Sequence, residues 1–571
     1  MSMQVKQNVN KKVQEERIMQ KKYADFKLGV PDYVTVETEE ERLVCQGGQT
    51  TVAAGATTVE FQDAGEHEDI LVTSEDAVRC VKLRWNYKIP KSARFLGDAW
   101  ERTYGDVEWH GMSGNRYLPW YFLAKLSEKV LCFGVKVRPS AMCCWQVDTK
   151  GITLFLDVRC GNTGVQLKGR KLCAAQIVCM EAEGADTFET AQKFCEKMCT
   201  DPIFPEFPVY GSNNWYYDQL LPLSLLPLYG DSSEEEILSD TDYILKLTEG
   251  VKNSPFMVID DCWQEHHRLD EYNGGPWTKG NARFPDMKGL ADKLEKKGVR
   301  PGIWVRLLLN EDENIPDEWR ISYNDCLDPS HPDALAYIHK DIERICDWGY
   351  TLIKHDFSTF DLFGKWGFEA NLRDNSMEKW HFYDQTKTSA EIVKMLYQEI
   401  YDASRSNNAV IIGCNTIGHL GAGLMHLNRT GDDTSGRIWE RTRRMGVNTL
   451  AFRLPQHNTF YHIDADCVGI FGMIPWEKNR QWADVLAKSG TPLFVSAKPG
   501  VLNPEEFEEL HQIMLRASEQ KEHFVPLDWE EIDCPEVWGE NGETITYDWF
   551  DNEGPTMDAA VEYYNAKVVV P

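Results

Sequence analysis

Lys354 and Asp356 stand two residues apart, directly after the mostly apolar run YTLI. Such a run is typical of a buried parallel strand, and side chains two apart in a strand point to the same face. A lysine beside a carboxylate keeps the carboxylate deprotonated, and a fixed, ionised carboxylate suits a covalent nucleophile or an electrostatic site. A salt bridge at a strand end explains the same pattern, so this segment alone leaves both interpretations open.

A second carboxylate is available in the segment NRTGDDTSG, which contains Arg429, Asp432 and Asp433. Two carboxylates that face each other across a pocket, one ionised and one protonated, are the minimal equipment for hydrolysing a glycosidic bond. Adjacent side chains of an extended chain point to opposite sides, so we expect only one of the two aspartates to be the acid. The alternative is that the pair caps the N-terminus of a helix.

A third polar group, Asp260 and Asp261 followed by Trp263, lies in the segment IDDCW. Adjacent aspartates at a strand end suit hydrogen bonds to two neighbouring sugar hydroxyls, and an indole ring offers a surface for stacking. Carboxylate clusters also bind divalent metals, which is the main alternative. The lysine and arginine expected at the same rim would repel a cation, so we predict that the site holds no metal and no cofactor.

The composition narrows the class of ligand. The chain has 571 residues, a formal net charge of −29 and 19 tryptophans. The negative charge argues against nucleic acid, anionic membranes and strongly anionic substrates, and so favours a neutral small molecule. Tryptophan is common where sugars stack, although most tryptophans in proteins belong to the core.

The cysteines and the N-terminal segment predict a cytoplasmic protein. The 16 cysteines are scattered, Cys143 and Cys144 are adjacent, and several lie inside apolar runs, as expected for buried thiols in a reducing compartment. The first 22 residues lack the apolar core and the cleavage site of a secretory signal, and no run of 18 apolar residues occurs. A homo-oligomer is possible, and the residues do not decide it.

The elements that must position these side chains fall into three predicted domains. Short β-rich runs occupy the region from about residue 30 to 200, and helical periodicity is scarce in it until 187–198. This pattern favours an N-terminal antiparallel β-sandwich with a helix leading out of it. Pro202, Pro205 and Pro208 then mark a linker. We expect a sandwich domain at residues 1–205, a catalytic domain at 206–520 and a small C-terminal β module at 521–571, which includes a last strand at 566–570.

From residue 209 the pattern changes to short apolar strands that alternate with amphipathic helices. Eight such units over about 300 residues predict a (β/α)₈ TIM barrel, whose chemistry lies at the C-terminal ends of its strands. The predicted strands cover residues 209–215, 256–261, 300–305, 351–356, 410–414, 424–429, 461–466 and 492–496. Polar residues sit at the ends of seven of them, and a purely structural explanation does not account for so many: Asn213, Asn214, Asp260, Asp261, Arg306, Lys354, Asp356, Asn415, Arg429, Asp432, Asp433, Asp464 and Asp466.

The ordered motifs YGSNNW, VIDDCW, RPGIWV, LIKHDF, IIGCN, NRTGDD and SGTPLFVS resemble those of clan D glycoside hydrolases. More specifically, they resemble glycoside hydrolase family 36 and its relatives, the α-galactosidases, and the upstream segments LGDAWER and YGD add to the resemblance. The resemblance runs from about residue 80 to 500. It implies a β-sandwich, a (β/α)₈ barrel, a C-terminal β module and a retaining double displacement without metal.

The resemblance also implies a role for each site residue. Asp356 would be the nucleophile and Asp433 the acid/base. Asp260 and Asp261 would bind the 4- and 6-hydroxyls of a terminal galactose. The other expected substrate contacts are Lys354 and Arg429 near the anomeric centre, Cys414 and Asn415 by the 2-substituent, and the indoles of Trp263 and Trp304.

One departure from the family pattern leaves the exact sugar open, because His355 stands where relatives commonly carry Trp or Tyr. The expected activity is release of terminal α-linked galactose. Alternatives are action on another α-linked sugar, such as a 2-acetamido galactoside, and transfer to a sugar acceptor instead of water. A sugar-binding barrel without catalysis is the alternative from a different class.

Overall fold

The computed structural model describes residues 22–216, 232–267, 272–364, 378–552 and 554. The chain divides into two units, which we call the sandwich unit and the barrel unit. The sandwich unit contains the chain up to Ala99, Trp109–Thr200 and Gln385–Glu391; the barrel unit contains Trp100–Glu108, Asp201–Asp384 and the chain from Ile392. The predicted strand at 566–570 lies outside the described residues.

The sandwich unit consists of two antiparallel sheets and a helix. Several of its strands alternate buried and partly exposed side chains, as in Ala77–Trp85, which buries Val78, Val81, Leu83 and Trp85. In chain order the strands are β1 (Tyr23–Phe26), β2 (Tyr33–Thr38), β3 (Arg42–Gln46), β4 (Thr51–Ala54), β5 (Thr57–Asp63), β6 (Glu68–Ser74), β7 (Ala77–Trp85), β8 (Arg94–Gly97), β9 (His110–Gly111), β10 (Leu118–Pro119), β11 (Tyr121–Leu126), β12 (Lys129–Val135), β13 (Met142–Asp148), β14 (Gly151–Asp157), β15 (Val165–Gln166) and β16 (Leu172–Glu183).

One sheet has the order β4-β5-β6-β16-β12-β11-β8-β9, with β1 also on β16, and the other has the order β10-β13-β14-β7-β2-β3, with β15 also on β7. The two sheets meet through aromatic side chains. The rings of Phe122 and Phe133 from the first sheet lie 5.8 and 6.4 Å from that of Trp145 in the second. The predicted antiparallel sandwich is therefore confirmed.

The barrel unit is built on a parallel sheet. Its strands are β17 (Tyr210–Asn213), β18 (Phe256–Ile259), β19 (Arg300–Val305), β20 (Leu352–His355), β21 (Val410–Gly413), β22 (Leu427–Arg429), β23 (His462–Asp464), β24 (Val468–Ile470) and β25 (Leu493–Ala497). Their order is β23-β22-β21-β20-β19-β18-β17-β25-β24. The two edge strands, β23 and β24, are separated in the chain by residues 465–467. β23 lies within the predicted seventh strand at 461–466, whereas β24 follows it as a strand that was not predicted. All eight predicted strands are present, and the barrel architecture is confirmed.

Helices alternate with these strands, as the amphipathic pattern predicts. The helix Pro332–Asp347, for example, begins with a proline after the N-cap His331 and buries Ala334, Ile338 and Ile342 along one face. The helices are α1 (Thr187–Met198) in the sandwich unit and then α2 (Glu234–Leu247), α3 (Met287–Lys297), α4 (Pro332–Asp347), α5 (Ser358–Phe363), α6 (Ser389–Ser404), α7 (Gly418–Gly421), α8 (Trp439–Thr442), α9 (Thr449–Arg453), α10 (Trp476–Lys488) and α11 (Pro504–Ala517). Between α8 and α9 the chain is π-helical over Arg443–Asn448.

The barrel strands explain why polar side chains collect at one rim. Val258, Leu352, Ile412 and Leu427 fill the barrel core and are almost fully buried. A parallel strand covered on both faces is apolar along its length, so polar residues are admitted where the strand ends. Five of the strands, β17, β18, β20, β21 and β23, end one or two residues earlier than predicted, which places Asp260, Asp356 and several others just beyond them.

A small antiparallel sheet closes the described chain. It consists of β26 (Val525–Pro526), β27 (Val537–Glu540) and β28 (Glu543–Thr546), in that order. Trp538 on β27 is fully buried, and its indole N–H donates to the carbonyl oxygen of Pro535 at 2.8 Å. The predicted C-terminal β module is confirmed. None of the helices in the described residues has the length and apolar character needed to cross a bilayer.

Candidate active site

The predicted catalytic and binding residues of strands β20, β21 and β22 converge around the buried thiol of Cys414. The thiol interacts electrostatically with Asp356, Arg429, Lys354 and Asp433. Burial raises the pKa of Cys414 well above its ordinary value, so the group is a neutral thiol at physiological pH. The barrel therefore brings both predicted catalytic aspartates and both predicted cations to one place.

Asp356 lies directly after β20 and is held by three N–H donors. The indole Nε1 of Trp304 donates to Oδ2 at 3.0 Å. The amide Nδ2 of Asn415 and the backbone N–H of Phe357, the latter at 2.6 Å, both donate to Oδ1. A carboxylate only accepts hydrogen bonds, so this set of donors suits an ionised Asp356 and fixes its orientation.

Lys354 does not bind Asp356 in the way that the sequence suggests. Its ammonium lies 2.7 Å from Oδ2 of Asp260, which also accepts from Nδ2 of Asn213 at 2.6 Å. Burial disfavours the charge of Lys354, but Asp260 outweighs burial, and the pKa of Lys354 is raised well above its ordinary value. The prediction is therefore corrected in part: Lys354 pairs directly with Asp260 and interacts with Asp356 only electrostatically, while the hydrogen bonds to Asp356 come from neutral donors.

His355 points away from this cluster, as strand alternation requires. Its Nδ1 lies 3.3 Å from the hydroxyl of Ser358, and its ring packs 5.8 Å from that of Tyr397. Burial lowers the pKa of His355 to about 4, so the imidazole is neutral at physiological pH. The residue that departs from the family pattern thus lies on the outer face of the strand.

Asp261 is almost fully buried, and its Oδ1 accepts from the backbone N–H of Cys262 at 2.7 Å and from Nε2 of Gln264 at 2.8 Å. Among the described residues, Asp261, Cys262 and His267 bring three possible metal-binding atoms within 4.8 Å of one another. The Oδ1 atom is committed to two N–H groups, which suits a fixed hydrogen-bonding carboxylate better than a metal ligand. The absence of a metal stays a prediction.

The two predicted tryptophans occupy different positions. Trp263 is fully buried, its ring packs 5.6 Å from that of Trp277, and its Nε1 donates to the backbone oxygen of Trp304 at 2.9 Å. Trp304 in turn donates to Asp356. Trp263 therefore supports the residue that orients Asp356, and its part in stacking on a sugar stays a prediction.

Arg429 is the centre of a dense group of charges. Its Nη1 lies 3.2 Å from Asp433, its Nε 3.3 Å from Asp464 and its Nη2 2.6 Å from Asp466. Burial disfavours the guanidinium charge, but Asp466 leads the carboxylates that raise the pKa of Arg429 well above its ordinary value. The arginine is charged and oriented, with one of its partners on the predicted catalytic loop.

Asp432 and Asp433 have opposite environments, as expected for adjacent residues. Asp432 is bound on both sides, 2.9 Å from Arg102 and 2.8 Å from Arg441, and its side chain is 15% exposed. The Asp433 side chain is 41% exposed, so it is the one of the two that a ligand can reach. The next helix begins at Trp439 without a side-chain cap, so the pair is not a helix cap.

Several residues that complete this group were not singled out from the sequence as site residues. Asp466 accepts from the hydroxyl of Tyr216 and from the N–H of Thr434, the latter at 2.8 Å. Its pKa is raised by burial and by Asp433 and Asp464, although Arg429 opposes the shift. The charge of Asp466 at a strand end is visible in the sequence, whereas no spacing signal links Tyr216 or Thr434 to it.

Comparison with known proteins places the fold. No family model matches the sequence, and a search of curated proteins also finds no match. Among solved structures, the chain is similar to the α-galactosidase TtGalA from Thermus thermophilus in complex with p-nitrophenyl α-D-galactopyranoside. The identity is 14%, the match covers 87% of this chain and 99% of that chain, and the TM-score is 0.57.

Two further structures have similar scores. The family GH36 α-galactosidase AgaA from Geobacillus stearothermophilus is 14% identical over 84% of this chain and 70% of its own, with a TM-score of 0.56. A family GH31 sulfoquinovosidase from E. rectale, in complex with an aza-sugar inhibitor, is 11% identical over 93% of this chain and 90% of its own, with a TM-score of 0.54. The chain therefore shares the fold of GH36 and GH31 glycosidases.

Proposed function

We propose that this protein is a retaining α-glycosidase that releases terminal α-linked galactose by double displacement. The observation that carries the proposal is the contrast between two carboxylates at one rim. Asp356 is buried and held by three N–H donors, whereas the Asp433 side chain is partly exposed, at 41%, and is bound on one side by Arg429. A fixed carboxylate and an accessible one are what this mechanism requires.

In the first step, Asp356 attacks the anomeric carbon while the bond from that carbon to the leaving oxygen breaks. Oδ2 is the better nucleophile, because it accepts one N–H from Trp304 whereas Oδ1 accepts two. Asp433 gives its proton to the leaving oxygen, which departs as an alcohol. The product of this step is a glycosyl ester of Asp356.

In the second step, Asp433 acts as a base and takes a proton from water, whose oxygen attacks the anomeric carbon. The ester bond breaks and Asp356 is released as a carboxylate. Two inversions at one carbon give net retention of configuration. A sugar hydroxyl in place of water would give transfer instead of hydrolysis.

The group around Asp260 supports recognition of a particular sugar. Asp260 and Asp261 are almost fully buried, and Lys354 supplies a charged donor beside them. Buried carboxylates that accept from particular hydroxyls discriminate against an epimer that leaves them unpaired. The α-galactoside bound to the Thermus relative supports galactose as that sugar. The chain's charge of −29 disfavours an anionic sugar such as a sulfonated one.

A panel of p-nitrophenyl α- and β-glycosides of galactose, glucose and N-acetylgalactosamine tests the proposal, with ¹H NMR of the first-formed sugar to assign its anomer. We expect turnover of the α-galactoside and release of α-galactose before mutarotation. The matched control is Asp356→Asn, which keeps the shape of the side chain and removes the nucleophile. Preference for the α-glucoside, or β-galactose as first product, would contradict the proposal.

A further inference from the structure

The segment Trp100–Glu108 lies in the sequence between two strands of the sandwich unit, yet it belongs to the barrel unit. We call it the arm. Its fit is tight at Gly105, where φ is +69° and an added Cβ would lie 2.8 Å from the backbone oxygen of Arg444. Further along, the carbonyl oxygen of Val107 accepts from Nδ2 of Asn448 at 2.9 Å. The arm is therefore seated on the barrel unit at more than one point.

The arm joins the loop that carries the two aspartates by backbone hydrogen bonds. The N–H of Thr103 donates to the carbonyl oxygen of Thr430 at 2.8 Å, and the N–H of Asp432 donates to that of Thr103 at 3.2 Å. Thr103 and Gly431 thus form a parallel bridge. The arm is therefore hydrogen-bonded, in the manner of a β-strand, to the loop residue that precedes Asp432.

Next to this bridge, Arg102 extends its guanidinium to the side chain of Asp432. Nη1 lies 2.9 Å from Oδ1, and Arg102 is 7% exposed. The other oxygen of Asp432 accepts from Nη2 of Arg441 at 2.8 Å. Asp432 is therefore held between a guanidinium from the arm and one from α8, which leaves its neighbour Asp433 turned toward Arg429.

We propose that Arg102 is a positioning residue for the acid/base: through its ion pair with Asp432, beside the bridge between Thr103 and Gly431, it fixes the loop that presents Asp433. This inference rests on the proposed function, in which Asp433 exchanges a proton with the substrate. Arg102 does not touch the reacting atoms in this arrangement. It acts through Asp432 and through the electrostatic potential at the loop.

Other charged and titratable groups of the barrel unit also act on Asp433. Besides Arg102, the cations that stabilise its charge are Arg429 on β22, Lys354 on β20 and Arg441 on α8. The acidic groups that interact with it are Asp466, the hydroxyl of Tyr216 and the thiol of Cys414. Arg102 is the cation that the arm supplies, so its removal changes one charge and leaves the barrel strands intact.

The test is the pair Arg102→Met and Arg102→Lys. Arg102→Met removes the charge, so the alkaline limb of the pH profile for a poor leaving group should move to higher pH. At the pH optimum of each protein, we also expect about tenfold lower kcat/KM toward an alkyl α-galactoside and a smaller loss toward an activated aryl α-galactoside. The reason is that a displaced Asp433 delivers its proton less well, and only the alkyl leaving group needs that proton. Arg102→Lys keeps the charge and should keep the alkaline limb near that of the wild type.

A second readout needs no turnover. Hydrogen exchange followed by mass spectrometry should show faster exchange at residues 428–436 in Arg102→Met than in the wild type. The matched control is Arg516→Met, which removes an arginine paired with Asp484 at 2.8 Å on α10 and α11. That variant should change neither the loop exchange nor the pH profile. If Arg102→Met does not fold, Asp432→Asn weakens the same ion pair and should speed the exchange of the same peptide.

The outcomes separate the two proposals. If the wild type cleaves no aryl glycoside, the proposed function fails, and unchanged exchange in Arg102→Met would then also overturn the positioning role. If the wild type is active but the alkaline limb of Arg102→Met coincides with that of the wild type, the inference is wrong while the proposed function stands. A limb that moves equally in Arg102→Lys would also overturn it, since the charge is then not the cause.

Discussion

Lys354 and Asp260 are joined by a 2.7 Å ion pair that reaches from β20, past β19, to the end of β18. The pair neutralises the carboxylate that is expected to read the sugar, and it leaves Asp356 to the donors on Trp304, Asn415 and Phe357. The proposed sugar-binding carboxylate and the proposed nucleophile are therefore held by separate sets of contacts at one rim. The two functions should respond separately to mutation.

Asp356→Ala should abolish turnover without unfolding the protein. Loss of a covalent nucleophile lowers kcat by several orders of magnitude, roughly 10⁴-fold or more. Azide should restore part of the rate with an activated aryl α-galactoside and give the β-galactosyl azide, because a small anion can occupy the space left by the carboxylate. The rate, the azide product and the melting temperature should be measured together. Activity near that of the wild type would remove Asp356 from the mechanism.

Asp433→Ala should impair poor leaving groups far more than good ones. The Asp433 side chain is 41% exposed, whereas Asp432 is held by Arg102 and Arg441. An activated aryloxide departs with little protonation, so only substrates with basic leaving groups need the acid. The test is the slope of log(kcat/KM) against leaving-group pKa for wild type and variant. Asp432→Ala is the control, and a steep slope in that variant alone would reassign the acid/base to Asp432.

The alkaline limb of the wild-type pH profile should lie on the acidic side of neutrality for alkyl α-galactosides. Partial burial opposes ionisation of Asp433, but the cations Arg429, Arg102, Lys354 and Arg441 outweigh it and lower the pKa of Asp433. A general acid must carry its proton, so kcat/KM falls as pH rises through that pKa. Activated aryl α-galactosides should show a weaker decline over the same range. Since kcat/KM reports the free enzyme, an alkyl-galactoside profile that stays flat up to pH 8 would contradict a lowered pKa of the general acid.

Asp261→Ala should weaken the discrimination between galactose and its 4-epimer glucose. Glucose would leave the buried carboxylate without one of its hydrogen bonds. Sites of this kind lower kcat/KM for the wrong substrate by roughly 10⁴-fold. Without the carboxylate, turnover of the galactoside should fall while the ratio of kcat/KM for the two epimers shrinks. The kcat/KM values for the aryl α-galactoside and the aryl α-glucoside should be measured with the wild type and with Asp261→Ala. A ratio unchanged in Asp261→Ala would show that this residue does not read the sugar.

Asp240→Asn should stabilise the protein at pH 8 but not at pH 4. Burial on α2 raises the pKa of Asp240 from 3.8 to about 7. The folded state thus binds a proton more tightly than the unfolded state, and the stability this brings is present below pH 4 and is lost as pH rises through about 7. The pKa difference between 3.8 and about 7 corresponds to at most about 4 kcal/mol in the free energy of unfolding. Urea unfolding at the two pH values measures it.

Asp242→Asn is the matched control for that experiment, because Asp242 lies on the same helix with a side chain that is 59% exposed. It should change the free energy of unfolding little at either pH. Equal effects of the two substitutions at pH 8 would show that the burial of Asp240 is not the cause.

The sequence alone determined the barrel, its eight strands and the polar residues at their ends, because these follow from local patterns. A short apolar run followed by a charge, as at Lys354 and Asp356, predicts a buried strand and a rim residue whatever surrounds it. Alternation along the chain was enough to predict that Asp432 and Asp433 point in different directions.

Only the tertiary structure decided which side chains meet. Lys354 pairs with Asp260 because neighbouring strands are in register around the barrel, and that register depends on packing of all the strands together. The binding of Arg102 to Asp432 joins residues far apart in the chain, and a motif cannot reveal it, since the arm reaches its place only when the barrel unit folds. Residue types and their spacing predict which side chains a site contains. Which of them pair with one another, and how exposed each one is, follows from long-range packing.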